Sequence, residues 1–504
     1  SSIKRIDGET ASPLQIISRQ QIEDMGAKTL SQVLENVPAN MPALVDSRSM
    51  FTGTDGASQA NLRGLGAQGT LTLLNARRLS FYGAPSGFQH QFVNIDTIPA
   101  AAIERMEVLT DGASAIYGSD AIAGVINVIT RRAYEGLEVT LSTEASENVS
   151  AYGEHQASAV FGFGDLDADR YNVYGSFNYY KRDAVYPEDD YDKLPDGWYV
   201  DNPNYITNFR IHDGSQPGVI NPGTLFTFDE TGRRRTMAAP GCNNVVTTGD
   251  NTSCAANILP YQLAHVPESE RYNLFVAGRY LFENGMEGYA EISGTRIDMY
   301  SHSNPATFNS GSQSTWFARN TGFNLNSFTY PYLSPTNPYN NLTPELSDMM
   351  SGVAGLTYRF LDDPGIFHQR NLDESYRAVA GLRGMLGEWD WDSALAVAGS
   401  HSTLYQDTNL SISGFLEAFG PLSVDPETGR TVISDDPAYQ FGTTSEQNRA
   451  LVQRIFPNNS YHSRTKLITW DGKVEGRIGE LAGGEVRSPF GFNVMREEFY
   501  SPGN

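Results

Sequence analysis

Hydrophobic and polar positions alternate along most of the chain after about residue 133, and this spacing predicts β-strands. In RYNVYGSFNYYKRD, Tyr171, Val173 and Phe177 share one face, while Asn172 and Ser176 share the other. Later segments repeat the pattern over about ten residues or more, with aromatic residues near their ends, as in RYNLFVAGRYLFE, MEGYAEISGTRID and WDWDSALAVAGSHS. This pattern is typical of strands that face lipid on one side and a polar lumen on the other. A large soluble β-sandwich or propeller is the alternative.

Residues 1–132 have a different pattern, in which short helices and strands are mixed. Thr29 is a candidate N-cap, and Gln32 completes a capping box in front of the helically spaced apolar residues of TLSQVLENVP. Apolar runs predict strands at 105–109 and 125–130. This part of the chain therefore predicts a compact α+β domain.

The segment NLRGLGAQGTLTLLNARRL contains a G-x-G-x-x-G pattern at Gly64, Gly66 and Gly69. A dinucleotide site would need a helix directly after it and an acidic residue about 20 residues later. Here the run at 70–74 is apolar and favours a strand, and no acid follows at the required distance. The glycines are therefore interpreted as turn residues beside a strand.

Composition narrows the class of protein. The chain has 504 residues, 48 of them glycine, a mean hydropathy of −0.38 and a net charge of −23, which argues against nucleic-acid binding. No run of 18 apolar residues occurs, although a transmembrane barrel would not need one. The two cysteines, Cys242 and Cys254, lie in a polar segment without histidine, so a loop-closing disulfide is preferred to a zinc site.

Three segments of the first 132 residues resemble the plug motifs of TonB-dependent outer-membrane receptors. They are PLQIISRQQIEDMGAKTLSQVLENVPA, QANLRGLGAQGTLTLLNARRL and VNIDTIPAAAIERMEVLTDGASAIYGSDAIAGVINVITRR. The resemblance implies an α+β plug domain, residues 1–132, inside a transmembrane antiparallel β-barrel that begins at 133 and continues to 504. Such a barrel has about 22 strands when complete, and about ten are visible here. We therefore expect the N-terminal portion of a barrel with long extracellular loops.

The sequence departs from the family pattern in places. Thr110, Asp111 and Gly112 stand where many members have Arg-Gly-Pro, so the ion pair that this arginine makes is not carried over. The TonB box is expected just upstream of SSIKR, outside this chain, and the terminal aromatic strand of the barrel is not seen.

The resemblance implies active import of a scarce nutrient across the outer membrane of a Gram-negative bacterium. The expected partners are TonB with its inner-membrane energising complex, outer-membrane lipids and a small extracellular ligand. A surface lipoprotein partner stays open, and neither a cofactor nor a nucleic-acid partner is expected. The alternatives are a ferric-siderophore receptor and a binding or structural outer-membrane protein that no longer transports.

Two plug segments and one loop are expected to touch the ligand. The loop is rich in amide, hydroxyl and aromatic side chains, which suits a neutral polar ligand such as an oligosaccharide or a peptide. An ordinary solvated loop, and packing of the plug aromatics within the plug, are the structural alternatives. The candidate plug residues are Arg48, Phe51, Phe81, Tyr82, Phe88, Gln89 and His90, and the candidate loop residues are Trp316, Arg319, Tyr330 and Tyr332.

Charged residues of the plug are expected to pair with carboxylates that line the lumen, holding the plug and yet releasing it under force. No nucleophile–base pair or metal-ligand spacing was found, so we expect neither catalysis nor a metal site. The candidate plug–barrel ion-pair residues are Arg63, Glu104, Arg105, Arg131, Arg132 and Glu291.

Overall fold

The computed structural model shows an α+β unit, a large antiparallel sheet and a packed group of long connections. The residues described are 14–41, 47–48, 54–84, 90–113, 117–190, 223–242, 245–254, 264–303, 306–312, 329–360, 367–407, 410–443, 445–481 and 484–501.

The first unit, called the plug below, contains a five-stranded sheet and two short helices. Its elements are β1 Leu14–Ser18, α1 Arg19–Asp24, α2 Leu30–Glu35, β2 Thr70–Leu74, β3 Arg77–Arg78, β4 Ile103–Leu109 and β5 Gly124–Thr130. The sheet has the order β1-β4-β5-β2-β3, and β2 pairs with β5 in parallel while the other pairs are antiparallel. The strands predicted at 105–109 and 125–130 are therefore confirmed.

Both plug helices begin at a capping box. Thr29 accepts a hydrogen bond from the backbone N–H of Gln32, whose side chain in turn accepts one from the backbone N–H of Thr29, as predicted. Ser18 and Gln21 do the same for α1. These reciprocal bonds satisfy backbone N–H groups that a short helix cannot satisfy internally. Within the described residues, no helix is long and apolar enough to cross a membrane.

The glycine-rich segment forms a turn that leads into β2 and not into an α-helix. Gly64 and Gly66 have φ angles of 70° and 91°, in the left-handed region that favours glycine. A short 3-10 helix, Ala67–Gly69, follows, and β2 starts at Thr70. The prediction of a turn beside a strand is confirmed.

The second unit, called the wall below, is a sheet of nine antiparallel strands. They are β6 Gly136–Ala145, β7 Gly153–Phe163, β8 Tyr171–Arg182, β13 Glu268–Leu281, β14 Glu287–Ser303, β17 Phe367–Leu386, β18 Trp389–Gln406, β21 Asn459–Leu481 and β22 Gly484–Tyr500. Their order is β22-β21-β18-β17-β14-β13-β8-β7-β6.

Side chains of the wall alternate between an exposed face and a face covered by the plug. On β8, Tyr171 and Phe177 are exposed, whereas Asn172, Tyr174 and Ser176 are buried, as the sequence predicted. The plug covers this buried face of β8. The Tyr174 hydroxyl, for example, donates a 2.6 Å hydrogen bond to the backbone carbonyl of Arg131, at the end of the plug. One face of β8 is therefore mainly apolar and exposed, and the other is mainly polar and enclosed.

The connections between wall strands alternate in length. Short turns join β7 to β8, β13 to β14 and β17 to β18, all at one end of the sheet. At the other end lie the long connections 183–267, 304–366 and 407–458. The connection from β6 to β7, residues 146–152, also lies at this end but is short. In transmembrane barrels the long connections lie on the extracellular side.

Described parts of the three long connections pack together into one unit, called the loop domain below. Its sheets have the orders β10-β9-β16-β15, β11-β12 and β19-β20. The elements of the three connections are α3 Pro187–Asp190, β9 Thr224–Phe228, β10 Arg234–Ala238, β11 Val245–Thr248, β12 Asn251–Cys254, β15 Thr307–Asn309, α4 Pro344–Asp348, β16 Gly355–Arg359, α5 Ile412–Phe419, β19 Ser423–Val424, β20 Thr431–Val432 and α6 Glu446–Ile455.

An aromatic cluster forms the core of the loop domain. The ring of Phe308 is fully buried, with ring centroids 5.3 Å from Tyr330, 5.9 Å from Phe415 and 5.4 Å from Phe419. Leu225, from the first connection, belongs to the same buried cluster. Loops that are separate in sequence therefore share one hydrophobic core, and burial of this core is what orders them.

We expect Phe415→Ala to destabilise the loop domain by about 3 to 5 kcal/mol, because it removes a buried aromatic ring and leaves a cavity. The measurement is the denaturant midpoint at which the loop domain becomes susceptible to protease. Leu416→Ala, on the same helix but 39% exposed, is the control and should shift the midpoint little. Equal shifts for the two variants would contradict a shared core at this position.

Alkaline pH should weaken the loop domain through Tyr330. Burial raises the pKa of Tyr330 to about 12, while an unfolded tyrosine ionises near its usual value of about 10. The folded form therefore keeps the proton between these values, and stability falls as the pH rises from about 10 to about 12, by at most about 3 kcal/mol. Unfolding followed against pH should show a shallower decline for Tyr330→Phe than for wild type. An identical decline would overturn the assignment to Tyr330.

Candidate functional site: the plug against the wall

Charged side chains of the plug meet charged side chains of the wall along their boundary. Each pair brings an ion of one unit within 4 Å of an opposite ion of the other. The pairs are Arg19–Glu138 at 2.9 Å, Arg131–Glu138 at 2.9 Å, Arg132–Glu287 at 2.9 Å, Lys28–Glu154 at 3.4 Å, Lys28–Glu144, Asp96–Arg271 at 2.9 Å, Arg77–Asp471 at 3.1 Å and Arg77–Asp392.

Arg77, on the edge strand β3 of the plug, binds two strands of the wall at once. Its guanidinium pairs with Asp392 on β18 and Asp471 on β21, and lies 5.3 Å from the ring centre of Tyr289 on β14. The Tyr289 hydroxyl donates a 2.8 Å hydrogen bond to Asp392. Arg77 is only 11% exposed, so its charge is held by these partners and not by water.

Asp96 and Arg271 form the most enclosed pair of the boundary, with side chains that are 0% and 2% exposed. Asp96 follows the 3-10 helix start at Asn94 and also accepts hydrogen bonds from Ser31 at 2.9 Å and Ser58 at 2.6 Å. One buried carboxylate thus ties two segments of the plug to strand β13 of the wall. Removal of either partner would leave an uncompensated buried charge.

Glu291 on β14 contacts the plug through an amide and not through a plug cation. Asn75 donates a 2.8 Å hydrogen bond to it, and Arg377 of the neighbouring wall strand pairs with it at 2.9 Å. Arg377 also donates a 3.2 Å hydrogen bond to the backbone carbonyl of Leu74. Glu291 and Arg377 therefore hold the end of plug strand β2.

The plug segment at 80–84 contacts the wall through hydrogen bonds. The hydroxyl of Tyr82 lies 3.2 Å from Asn371 and 3.2 Å from Ser402, and the ring stacks on Phe92 at 5.3 Å. A Cβ added to Gly83 would lie 2.7 Å from the backbone nitrogen of Ser402, so any side chain at this position requires the segment to move away from the wall. A cavity of about 20 Å³, enough for one water molecule, lies between this segment and the wall.

The structure brings together part of the predicted ion-pair set. Arg131 and Arg132 reach wall carboxylates, and Glu291 faces the plug through Asn75. Arg63 and Arg105 require correction. Arg63 lies in the glycine turn and donates hydrogen bonds to the backbone carbonyls of Ile122 and Ala123, which belong to the plug. Arg105 pairs with Glu107, which faces the same side of β4. Glu104 points the other way and is exposed, and it has no ion pair within the described part of the chain.

The predicted ligand residues do not form one cluster among those described. Tyr82 is buried against the wall, Phe81 is half-buried and accepts a hydrogen bond from Thr465, and His90 is exposed. Arg48 pairs with Glu35. Five further candidates lie outside the described residues, namely Phe51, Phe88, Gln89, Trp316 and Arg319.

Tyr330 and Tyr332 also require correction. Both are only 9% exposed and belong to hydrophobic clusters of the loop domain. Their aromatic rings stabilise the packing of the connections, because a buried ring contributes most by excluding water. The sequence pattern alone could not distinguish such rings from ligand-facing ones.

Cys242 and Cys254 form a disulfide with a Cα–Cα distance of 5.7 Å. It closes the hairpin of β11 and β12. The bond fits an oxidising compartment and constrains a short segment that has little core of its own.

Sequence reasoning missed Arg77, Asp96, Arg271 and Arg377. Arg77 and Asp96 lie within the quoted plug motifs, so the resemblance could have indicated them. Arg271 and Arg377 could have been found from the alternation, because each shares the inward face of its strand with buried polar residues such as Asn273 and Asp373. Which plug residue each one meets depends on the docking of two units distant in sequence.

Arg77→Gln should weaken the hold of the wall on the plug by about 3 to 5 kcal/mol, since it leaves Asp392 and Asp471 without a cation. The denaturant midpoint at which the plug becomes cleavable by trypsin measures this. Arg78→Gln is the matched control, because Arg78 pairs with Asp120 inside the plug. If both variants lower the midpoint equally, Arg77 has no special role at the boundary.

Comparison with known proteins identifies the first unit of the chain as a plug domain. The family model of the TonB-dependent receptor plug domain matches residues 7–125. An iron-regulated outer membrane virulence protein of Vibrio cholerae is 31% identical over 176 residues, which are 34% of this chain and 26% of that protein. The vitamin B12 transporter BtuB of Vibrio vulnificus is 31% identical over 151 residues, 30% of this chain and 23% of that protein.

The matched part of the chain thus spans about a quarter of the length of these curated relatives. Among solved structures, BauA, the ferric preacinetobactin receptor of Acinetobacter baumannii, is 13% identical with a TM-score of 0.41, covering 98% of this chain and 59% of that one. None of these relatives is named as an enzyme. The chain therefore contains a TonB-dependent receptor plug domain, at residues 7–125.

Proposed function

We propose that this protein imports a scarce nutrient across the outer membrane, with the plug displaced under force from TonB. The observation that carries the proposal is the boundary between plug and wall, where the contacts named above are mainly ion pairs and hydrogen bonds. Water can replace such contacts when the plug moves, so a polar boundary costs less to open than an apolar one of the same area.

The same contacts support a plug that is well held at rest. Each buried pair resists the loss of one partner, because the remaining charge would be uncompensated. An apolar contact of Val160, Tyr174 and Phe275 with the hydrophobic core of the plug adds to the hold. A pulling force is therefore needed, and TonB, coupled to the proton gradient of the inner membrane, is the proposed source.

The ligand is proposed to bind between the plug segments and the extracellular connections. A neutral polar ligand, such as an oligosaccharide or peptide, remains our candidate from loop composition, although burial of Tyr330 and Tyr332 removes part of its support. A ferric siderophore is the second candidate, supported by the iron-regulated relative. A surface lipoprotein that assists capture is a further proposal.

A disulfide between plug and wall tests the import proposal. A Cβ on Gly83 would lie 2.8 Å from the Cβ of Ser402, and a cystine needs about 1 Å more, a small adjustment for this segment. Cells carrying Gly83→Cys with Ser402→Cys should lose uptake when oxidised and regain it after mild reduction. The probes are radiolabelled iron bound to a catechol siderophore and a fluorescent maltooligosaccharide.

Each single-cysteine variant, treated with the same oxidant and reductant, controls for effects on the natural disulfide. Uptake that continues unchanged in the cross-linked receptor would contradict movement of the plug at this position. Binding of a probe without any TonB-dependent uptake would favour the binding or structural alternative. The probe that is taken up decides between the two ligand classes.

A further inference from the structure

The outward face of the wall changes sharply from apolar to charged along strand β21. Its outward positions are Ser460, His462, Arg464, Lys466, Ile468 and Trp470, as the exposed alternation on this strand indicates. The boundary between Lys466 and Ile468 lies at the same level as Tyr376 on β17. Aromatic residues at such a boundary mark the membrane interface. The charged positions are at the end of the sheet that carries the long connections, which is the extracellular side.

Elsewhere along this level, outward cations are neutralised within the wall. Arg296 on β14 pairs with Glu374 on β17 at 3.4 Å. Arg370 on β17 binds Asp298 on β14, with 2.8 Å between Nε and the carboxylate. These pairs leave no net charge for a partner in the membrane.

The cations of β21 are different. Arg464 and Lys466 form no ion pair within the described residues, and Glu498, the register neighbour of Lys466, is paired with Arg496 at 2.7 Å. Arg464 lies over the ring of Tyr500 at 4.8 Å, which orients its guanidinium without neutralising it. Two adjacent outward cations therefore stay uncompensated, in a chain whose net charge is −23.

Two histidines extend this group across to β18. His401 is the register partner of Arg464, and its ring centre lies 6.0 Å from that of His462. His462 is oriented by contacts of 3.0 Å to Thr403 and 3.3 Å to Ser460. We call His401, His462, Arg464 and Lys466 the basic patch.

An exposed apolar surface lies directly beneath the basic patch on the same two strands. It comprises Val397 and Leu395 on β18, 37% and 60% exposed, and Ile468 and Trp470 on β21, 37% and 51% exposed. The side chain of Tyr376 covers Gly399, which lies opposite Lys466, and so places an aromatic ring beside this cation. Cations above and apolar side chains below match a lipid with an anionic headgroup and acyl chains.

We propose that the basic patch binds the phosphate of a phosphorylated lipid in the outer leaflet, with its acyl chains against the apolar surface beneath. Arginine and lysine suit a phosphate because charge-assisted hydrogen bonds to it are short and strong. The patch lies outside the lumen, so this site is independent of the import proposal and would persist in a receptor that does not transport. The lipid would fix the height of the wall in the membrane.

Native mass spectrometry of the full-length receptor in detergent, titrated with bis-phosphorylated lipid A, tests the site. Arg464→Gln with Lys466→Gln should weaken binding about tenfold or more, since each cation near an anionic lipid contributes about fivefold. The charge-retaining swap, Arg464→Lys with Lys466→Arg, should bind within about threefold of wild type and shows that the strand still folds.

Two control variants separate the site from general charge effects. Arg233→Gln with Arg235→Gln removes the same number of cations from the loop domain, and Arg296→Gln with Glu374→Gln removes a neutralised pair at the same level of the wall. Both should bind lipid A as wild type does. Equal binding by the Arg464 and Lys466 glutamine variant would overturn the proposal.

Two further probes identify the source of the phosphate. Lipid A from which the phosphates have been removed should bind about tenfold more weakly, because the cations then have no anion to meet. Inorganic phosphate alone should not displace lipid A at millimolar concentration. Equal binding of the dephosphorylated lipid, or displacement by inorganic phosphate, would overturn a phosphorylated lipid as the occupant.

Discussion

The enclosed charges between plug and wall are the constraint on which the arrangement of this protein depends. A wall strand that points one face toward lipid must point its other face inward, and here that face carries arginines and carboxylates such as Arg271 and Glu287. Covered by the plug, these groups are tolerated only with partners. Asp96 of the plug supplies the partner of Arg271. Glu287 is held by Arg279 and Arg383 of the wall and also pairs with the more exposed Arg132 of the plug.

This constraint explains how one boundary can be both firm and releasable. An apolar interface of the same size would be stabilised by burial that water cannot replace. In a boundary of ion pairs and hydrogen bonds, removal of one partner costs much free energy, because the other partner stays buried without a counter-charge. When both partners are hydrated together, the net free energy lost is modest. Arg77 is the clearest case, since one guanidinium holds two wall strands. Such a boundary suits the proposed import, in which the plug is held at rest and displaced under force.

The loop domain and the basic patch divide the remaining surfaces between different environments. The aromatic core around Phe308 makes the three long connections one packed unit, so their exposed residues are held on a common support. Outside, the apolar belt ends at Lys466, where uncompensated cations begin. Under the lipid proposal, this change from apolar to charged outward residues on β21 marks the height at which acyl chains give way to headgroups.

Much of the local structure was determined by the sequence. Alternation specified the strands and their two faces, because side chains of a strand repeat every two residues. The capping residue Thr29 and the turn glycine Gly66 specified local geometry, since their effects act over a few residues. The cysteines and part of the plug ion pairs, Arg131 and Arg132, were also indicated.

Tertiary structure decided the rest. Tyr330 could have faced a ligand or a core, and only the packing of three connections distant in sequence buries it. Arg63 could have reached the wall, but its turn directs it to plug carbonyls. The partner of Arg77 was undetermined for the same reason, because Asp392 and Asp471 are hundreds of residues away. Local periodicity sets which face a side chain occupies, whereas the partner it meets there depends on how separate units dock.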